Sequence, residues 1–437
     1  MKKLSLLSAI AIGMFCLSIL PAVSEEPVTL EEIRVQARKE EGRFSSRFLS
    51  DVQGTKIYAG KKTTSTSLTH LPPIQNNNCR QAFSQTSGLL VSEQNNQGHV
   101  NINYRGIGDP HESQDLLTLK DGIPIGAERL GYSTTYYNPP FEAVEQVELI
   151  RGGSALLYGP QPGPVLNYVT SMPPSEKKFS AETRHQFGSY GFYSTYNRFS
   201  GTVDPVGYLG YFHHSHANGR RANEGFDLFG GSFKLVWDAA KDARWIWNLD
   251  VDEKQSGEPG RLTLGQHQTN RRKTLRPFDQ LRTRRYASRL TYERDLSADT
   301  LWTTTLYGGT FDRFSRRRTS NTSNQNNLDR REINSGSVET RLRHDYQAWG
   351  ANHTVTAGGT FFASDAPRYQ DRSTTYPSEM GTPIFDFDYR TVYGSLFGEN
   401  QLNFGRFSVI PAVRIELMKM RIKENFNTGK TSALHNI

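Results

Sequence analysis

Cysteine is nearly absent: the 437 residues hold two, Cys16 and Cys79, so a disulfide framework or a thiol metal cluster is not expected. Long apolar runs are also scarce. Beyond Leu4 to Leu20, no stretch is long and apolar enough for a membrane helix, which leaves only β-strands for any crossing. No nucleophile–base pair and no phosphate-binding loop stands out, and catalysis is not expected. The net charge of +8 comes without a nucleic-acid-binding motif, so no nucleic-acid partner is expected either. Mean hydropathy is low, at −0.62. That value describes soluble proteins and transmembrane barrels alike, because only every second residue of a barrel strand faces lipid.

What is present divides the chain into four parts. Lys2 and Lys3, the apolar Leu4 to Leu20 and the small residues of Ala22-Val23-Ser24 read as a secretory signal over 1–24, which predicts export and removal of Cys16. Residues 25–47 are charged, and Thr29 to Ala37 alternates aliphatic and polar residues as an extended peptide would. Residues 48–172 mix short β-like runs with Gly and Pro turns. Asp121-Gly122 and Gly152-Gly153 there demand positive φ, and the segment reads as a small α+β domain.

From Phe179 the pattern changes to long alternating strands. Trp245, Trp247, Leu249 and Val251 share one face, opposite Asn248, Asp250 and Asp252. Val409, Pro411, Val413, Ile415 and Leu417 oppose Ser408, Arg414 and Glu416, while Tyr286, Leu290 and Tyr292 oppose Arg289 and Glu293. One apolar face and one charged face fit a barrel with lipid outside and water inside. Short turns near 204–207, 239–243, 296–300, 348–352 and 404–406 alternate with longer connections near 222–228, 254–285, 313–334 and 365–388. Counting this way predicts about eleven strands by Ile437. His213, His214 and His216 fall on alternating strand faces, so ordinary lumen lining is expected there rather than a metal site.

Four motifs in order carry a resemblance: Asn101 to Gly108, Leu116 to Ile125, Val144 to Pro160 and Val165 to Thr170. Together they resemble the plug domain of TonB-dependent outer-membrane receptors. The resemblance implies a transmembrane antiparallel β-barrel of about 22 strands with an N-terminal α+β plug in its lumen. The chain would supply the plug (48–172) and roughly half of the barrel (173–437). A chain ending here, without a terminal aromatic strand, is expected to be unable to transport alone. Glu32, Ile33, Arg34, Val35, Gln36 and Ala37 resemble the TonB box, which would add as a strand to TonB. The implied location is the Gram-negative outer membrane. The implied partners are TonB with its energising complex, lipid and lipopolysaccharide, and the implied cargo is a ferric chelate. No permanent cofactor and no metal site are expected.

The resemblance also assigns residues. Arg105 and Arg151 resemble plug arginines that pair with wall glutamates, for which Glu339, Glu399 and Glu416 are candidates. Pairing of both arginines within the plug is the alternative. Residues 275–288 resemble a long outer loop of ferric-citrate receptors, so an anionic chelate is expected to meet His111, Glu112, Arg129, Arg276, Arg284, Arg285, Arg316 and Arg368. The other reading of these arginines is contact with lipopolysaccharide phosphates. The apex Gly108 to Ser113 lacks the arginines that ferric-citrate receptors carry there. Another siderophore, haem, cobalamin or a nickel chelate is the alternative cargo, and a truncated, non-transporting product is the other reading.

Overall fold

A computed structural model describes residues 48–437 except 70, 94–99, 107–115, 131–135, 161–162, 429–433 and 437. The described residues form one compact unit. None of their helices is long and apolar enough to cross a membrane.

The N-terminal part is built on a five-stranded sheet in the order Lys62–Ser67, Val144–Arg151, Val165–Thr170, Leu117–Lys120, Ile123–Pro124. Leu117–Lys120 and Val165–Thr170 run parallel, and the other pairs are antiparallel. Alternation explains its two-sided packing. Val147, Leu149, Leu166 and Tyr168 join Phe83, Ile102 and Phe141 in one core, whereas Leu119, Ile150 and Val165 pack with Leu157 and Tyr158 in another. Each such fully buried aliphatic side chain contributes roughly 1.5–3 kcal/mol. Asp121 (φ 49°) and Gly122 (φ 82°) turn Leu117–Lys120 into Ile123–Pro124, with both φ values positive as a type I′ hairpin requires. That turn carries Lys120 and Asp121 to the wall.

The wall is a 14-stranded antiparallel sheet. Its main path runs from Ser180–Gly188 through eleven long strands to Ala412–Asn427, then to Leu434–Asn436. Arg368–Ser373 and Phe407–Val409 lie off this path. Among the described residues, Ser180–Gly188 at one end pairs with no strand at the other, so the sheet has two edges. Turns of two residues join strands at 204–205, 241–242, 298–299, 349–350 and 405–406. The opposite end carries the longer connections 218–225, 258–279, 319–325 and 366–381.

Strands extend much further into the long connections than the sequence suggests. Gln280–Ser297, Thr300–Arg318 and Asn326–Ala348 have 18, 19 and 23 residues, beyond the roughly 9–11 that a bilayer requires. The register places Trp247 opposite Leu290 and Leu235, so the apolar face is continuous across strands. Near the short-turn end, Trp237, Trp245, Tyr292 and Trp302 form a band on that face, with Trp245 and Tyr292 centred 4.5 Å apart. Such aromatic girdles mark the edges of a lipid-facing band.

Candidate functional site

The inward face of the wall meets the N-terminal domain through charge. Lys61 donates to Glu399 at 2.7 Å and Lys120 to Asp250 at 2.5 Å, each pair spanning domain and wall. Asp121 supplies the opposite polarity, with Lys234 at 3.6 Å and Arg289 at 3.7 Å. It also accepts the Thr170 N–H and hydroxyl at 2.7 Å each. Burial alone would push the Asp121 carboxyl up. Lys234, Arg289 and Lys120 outweigh it and hold the carboxyl below its ordinary value. Burial likewise works against the charged form of Lys120, and Asp250 reverses the balance, so that ammonium titrates well above its usual range.

The helix Ser154–Tyr158 is held differently. Its last carbonyls accept from three guanidinium groups: Leu156 O from Arg414 at 3.1 Å, Leu157 O from Arg341 and Tyr158 O from Arg129. Those carbonyls have no helical partner and carry the negative end of the helix dipole, so cations suit them. Glu339 fixes Arg341 at 2.7 Å, and Glu416 fixes Arg414 at 2.7 Å. Gly159, at φ 98°, ends the helix where a Cβ would stand 3.0 Å from Arg129, 3.1 Å from Tyr393 and 3.3 Å from Arg414.

These contacts rearrange the expected pairs. Arg151 is a plug-internal residue: it donates to Lys62 O, Thr63 O and Thr64 Oγ1 of the neighbouring strand. Arg105 is exposed, 5.1 Å from the centre of the Tyr104 ring, and none of the ion pairs among the described residues includes it. Glu399 does join plug to wall, with Lys61 as the cation. Glu339 and Glu416 bind wall arginines two residues away. Lys61, Lys120, Asp121, Lys234, Asp250 and Arg289 escaped the sequence reading. Inward parity of Asp250 and Arg289 was the available signal, since a charge facing a filled lumen requires a counter-charge.

The ligand candidates scatter. Arg129 sits between plug and wall, near the rings of Phe362 and Tyr393, not at an outer surface. Arg285 is buried over the Tyr137 ring with Asp250 at 3.7 Å, where its strand meets the plug. Arg284 shares the outward face with Tyr286 and lies 3.9 Å from Glu253, because its segment is a strand and parity turns it away from the lumen. Arg276 braces its own loop through Asp279 at 3.1 Å. Arg316 ties two loops together through Phe278 O, Pro377 O and Glu379. Arg368 joins a second inward cluster. It and Arg313 grip Asp329 at 2.6 and 3.3 Å, and Arg331 stands in register with both arginines. Arg313 also covers the ring of Tyr136 from the plug. His111, Glu112 and the Glu32 to Ala37 segment lie outside the described residues.

Only His213 of the histidine trio points inward and is buried. His214 and His216 face outward and share Asp227, each at 3.2 Å, which corrects the lumen-lining expectation for those two. No cluster of three or more metal-ligating side chains is placed to hold an ion among the described residues.

Residues 59–163 match the family model described as TonB-dependent Receptor Plug Domain. By sequence, the chain is similar to the vitamin B12 transporter BtuB of Photobacterium profundum, 37% identical over 97 residues, 22% of this chain and 16% of that protein. It is also similar to a hemin receptor of Yersinia enterocolitica, 30% identical over 130 residues, 30% of this chain and 17% of that one. In structure it resembles the unliganded ferric citrate transporter FecA, with TM-score 0.78 and 16% identity over 87% of this chain and 59% of that one. The ferric yersiniabactin uptake receptor FyuA from Yersinia pestis gives TM-score 0.67 and 15% identity over 87% and 60%. The chain therefore spans less than two thirds of each of these proteins. Residues 59–163 thus match the plug domain of TonB-dependent receptors, and the chain as a whole shares its fold with receptors of that kind.

Proposed function

We propose that this chain is the plug and the first part of the wall of a Gram-negative outer-membrane receptor that imports a ferric chelate by coupling to TonB. The favoured cargo is ferric citrate or another carboxylate-type chelate. The observation that carries this reading is the inward cluster beside the plug residue Tyr136, where Arg313, Arg331 and Arg368 gather around Asp329. These guanidinium groups stand together on the lumen face, and guanidinium forks suit carboxylates. In this reading Glu32 to Ala37 adds a strand to TonB, and outward arginines such as Arg284 meet lipopolysaccharide phosphates.

Uptake of labelled ferric citrate, compared with haem and cobalamin, by cells carrying the complete gene tests the cargo. Uptake of ferric citrate that disappears when residues 32–37 are deleted is the expected result. Cells that gain cobalamin or haem uptake instead would replace the cargo and keep the receptor reading. Import that survives the deletion would remove TonB coupling through this segment.

A further inference from the structure

The plug does not fill the space beside the wall. A cavity of about 300 Å³ lies between residues 53–56, the Asp121-Gly122 turn and the wall strands from Phe226–Ala240 to Ala351–Asp365. Its wall side is rich in hydroxyl groups, among them Thr291, Thr303, Thr305 and Thr360. Lys56 borders it from the plug. The Lys56 ammonium stands 5.0 Å from the centre of the Tyr158 ring, and no carboxylate or carbonyl binds it among the described residues.

Two of the three carboxylates bordering the same space are committed elsewhere. Asp121 is saturated by Thr170, Lys234 and Arg289. Glu339 holds Arg341 at 2.7 Å and the Thr360 hydroxyl at 3.1 Å. Glu293 is the third, in the part of its strand nearest the 298–299 turn. Against these three stand four bordering cations, Lys56, Arg129, Lys234 and Arg289. Arg129 is occupied by Tyr158 O, Lys234 donates to Thr170 and Ser171, and Arg289 donates to Asp121 O and Asn248 Oδ1, so among the described residues Lys56 is the bordering cation with no hydrogen bond of its own. Burial, reinforced by Arg341, lowers Lys56 to about 8, so it remains largely protonated at neutral pH at a cost that a bound anion would offset.

We propose that this cavity is an internal oxyanion site centred on the Lys56 ammonium and completed by wall hydroxyls, taking a carboxylate-bearing ligand between plug and wall. Its part in passage rests on the import reading above, whereas its existence does not.

Crystals of the purified protein soaked in sodium selenate test the site, because selenium scatters anomalously. A selenium peak beside Lys56 Nζ is expected in the wild type, lost in Lys56→Met and retained in Lys56→Arg. An empty cavity in crystals whose surface sites are occupied overturns the proposal, as does a peak that survives Lys56→Met. For passage, Lys56→Met is expected to slow energised uptake of labelled ferric citrate about tenfold, the loss of one charge-assisted contact. Binding to unenergised cells on ice should stay within about twofold of wild type, and Lys56→Arg should recover uptake. Unchanged uptake in Lys56→Met overturns the role in passage. Wild-type cells that neither bind nor import ferric citrate overturn the cargo assignment instead, and the selenate result still decides the site.

Discussion

Asp121 shows how one side chain can serve fold and assembly together. The hairpin needs a residue that tolerates positive φ, and Asp does. Once there, its carboxylate receives two bonds from Thr170 and faces two wall cations. Asp121→Asn would leave Lys234 and Arg289 undercompensated, and a loss of about 3 kcal/mol is expected near neutral pH. Because the folded carboxyl titrates below its unfolded value, its stabilisation is full above the unfolded value and disappears as pH falls through the folded one. Calorimetric melting of wild type and variant should therefore converge in acid. A gap that widens in acid would exclude this ion-pair account.

Gly159 makes a steric counterpart. Its φ of 98° is strained for any side chain, and a methyl group would press on Arg129, Tyr393 and Arg414. Gly159→Ala is expected to cost about 1–3 kcal/mol in melting experiments. Equal stability of the two proteins would mean that these guanidinium groups yield easily.

At the scale of elements, strict period-two alternation made the wall legible. The apolar rows through Trp247 and Ile415 were readable because lipid accepts no charge and the lumen accepts many. Leu306, exposed at 48% and in register with Leu290, belongs to that outward row. Leu306→Arg should destabilise folding into lipid vesicles by roughly 2–4 kcal/mol, read from urea titrations. An indifferent wall would show that this row does not face lipid. Alternation failed where charge was taken for loop. Arg284 and Arg285 look alike in sequence, yet the strand continues through them and sends one outward and the other under the plug. The same parity separates His213 from His214 and His216. The alternation of the three histidines is legible in the sequence, whereas Arg284 and Arg285 read as loop because polar strand ends lose the apolar half of their signature.

At the scale of the whole molecule, the plug is held by wall residues distant in sequence. Lys61 and Glu399 are 338 residues apart. Exchanging their charges tests the pair: Lys61→Glu and Glu399→Lys singly should each lose about 3 kcal/mol, and the double variant should recover part of it. Additive losses would show that the two groups do not act on each other. Arg341 and Arg414 grip the end of the plug helix from two strands. Replacing both with Gln should loosen the plug and raise ion conductance of the purified protein in planar bilayers, while either change alone has a smaller effect. Conductance equal to wild type would assign the hold on the plug to the ion pairs alone.

The amino-acid order by itself determined the alternating cores of the wall strands, the short turns between them, the apolar face of the wall and the plug signature. All of these depend on neighbours a few residues apart: alternation, turn residues and motif spacing. Which charges meet was decided only when the wall packed against the N-terminal domain. Arg151 found backbone oxygens on the strand beside it, and Lys61, Lys120 and Asp121 found the wall. A counter-charge is chosen by distance in space, and the pairs that join plug to wall here are separated by more than a hundred residues of chain.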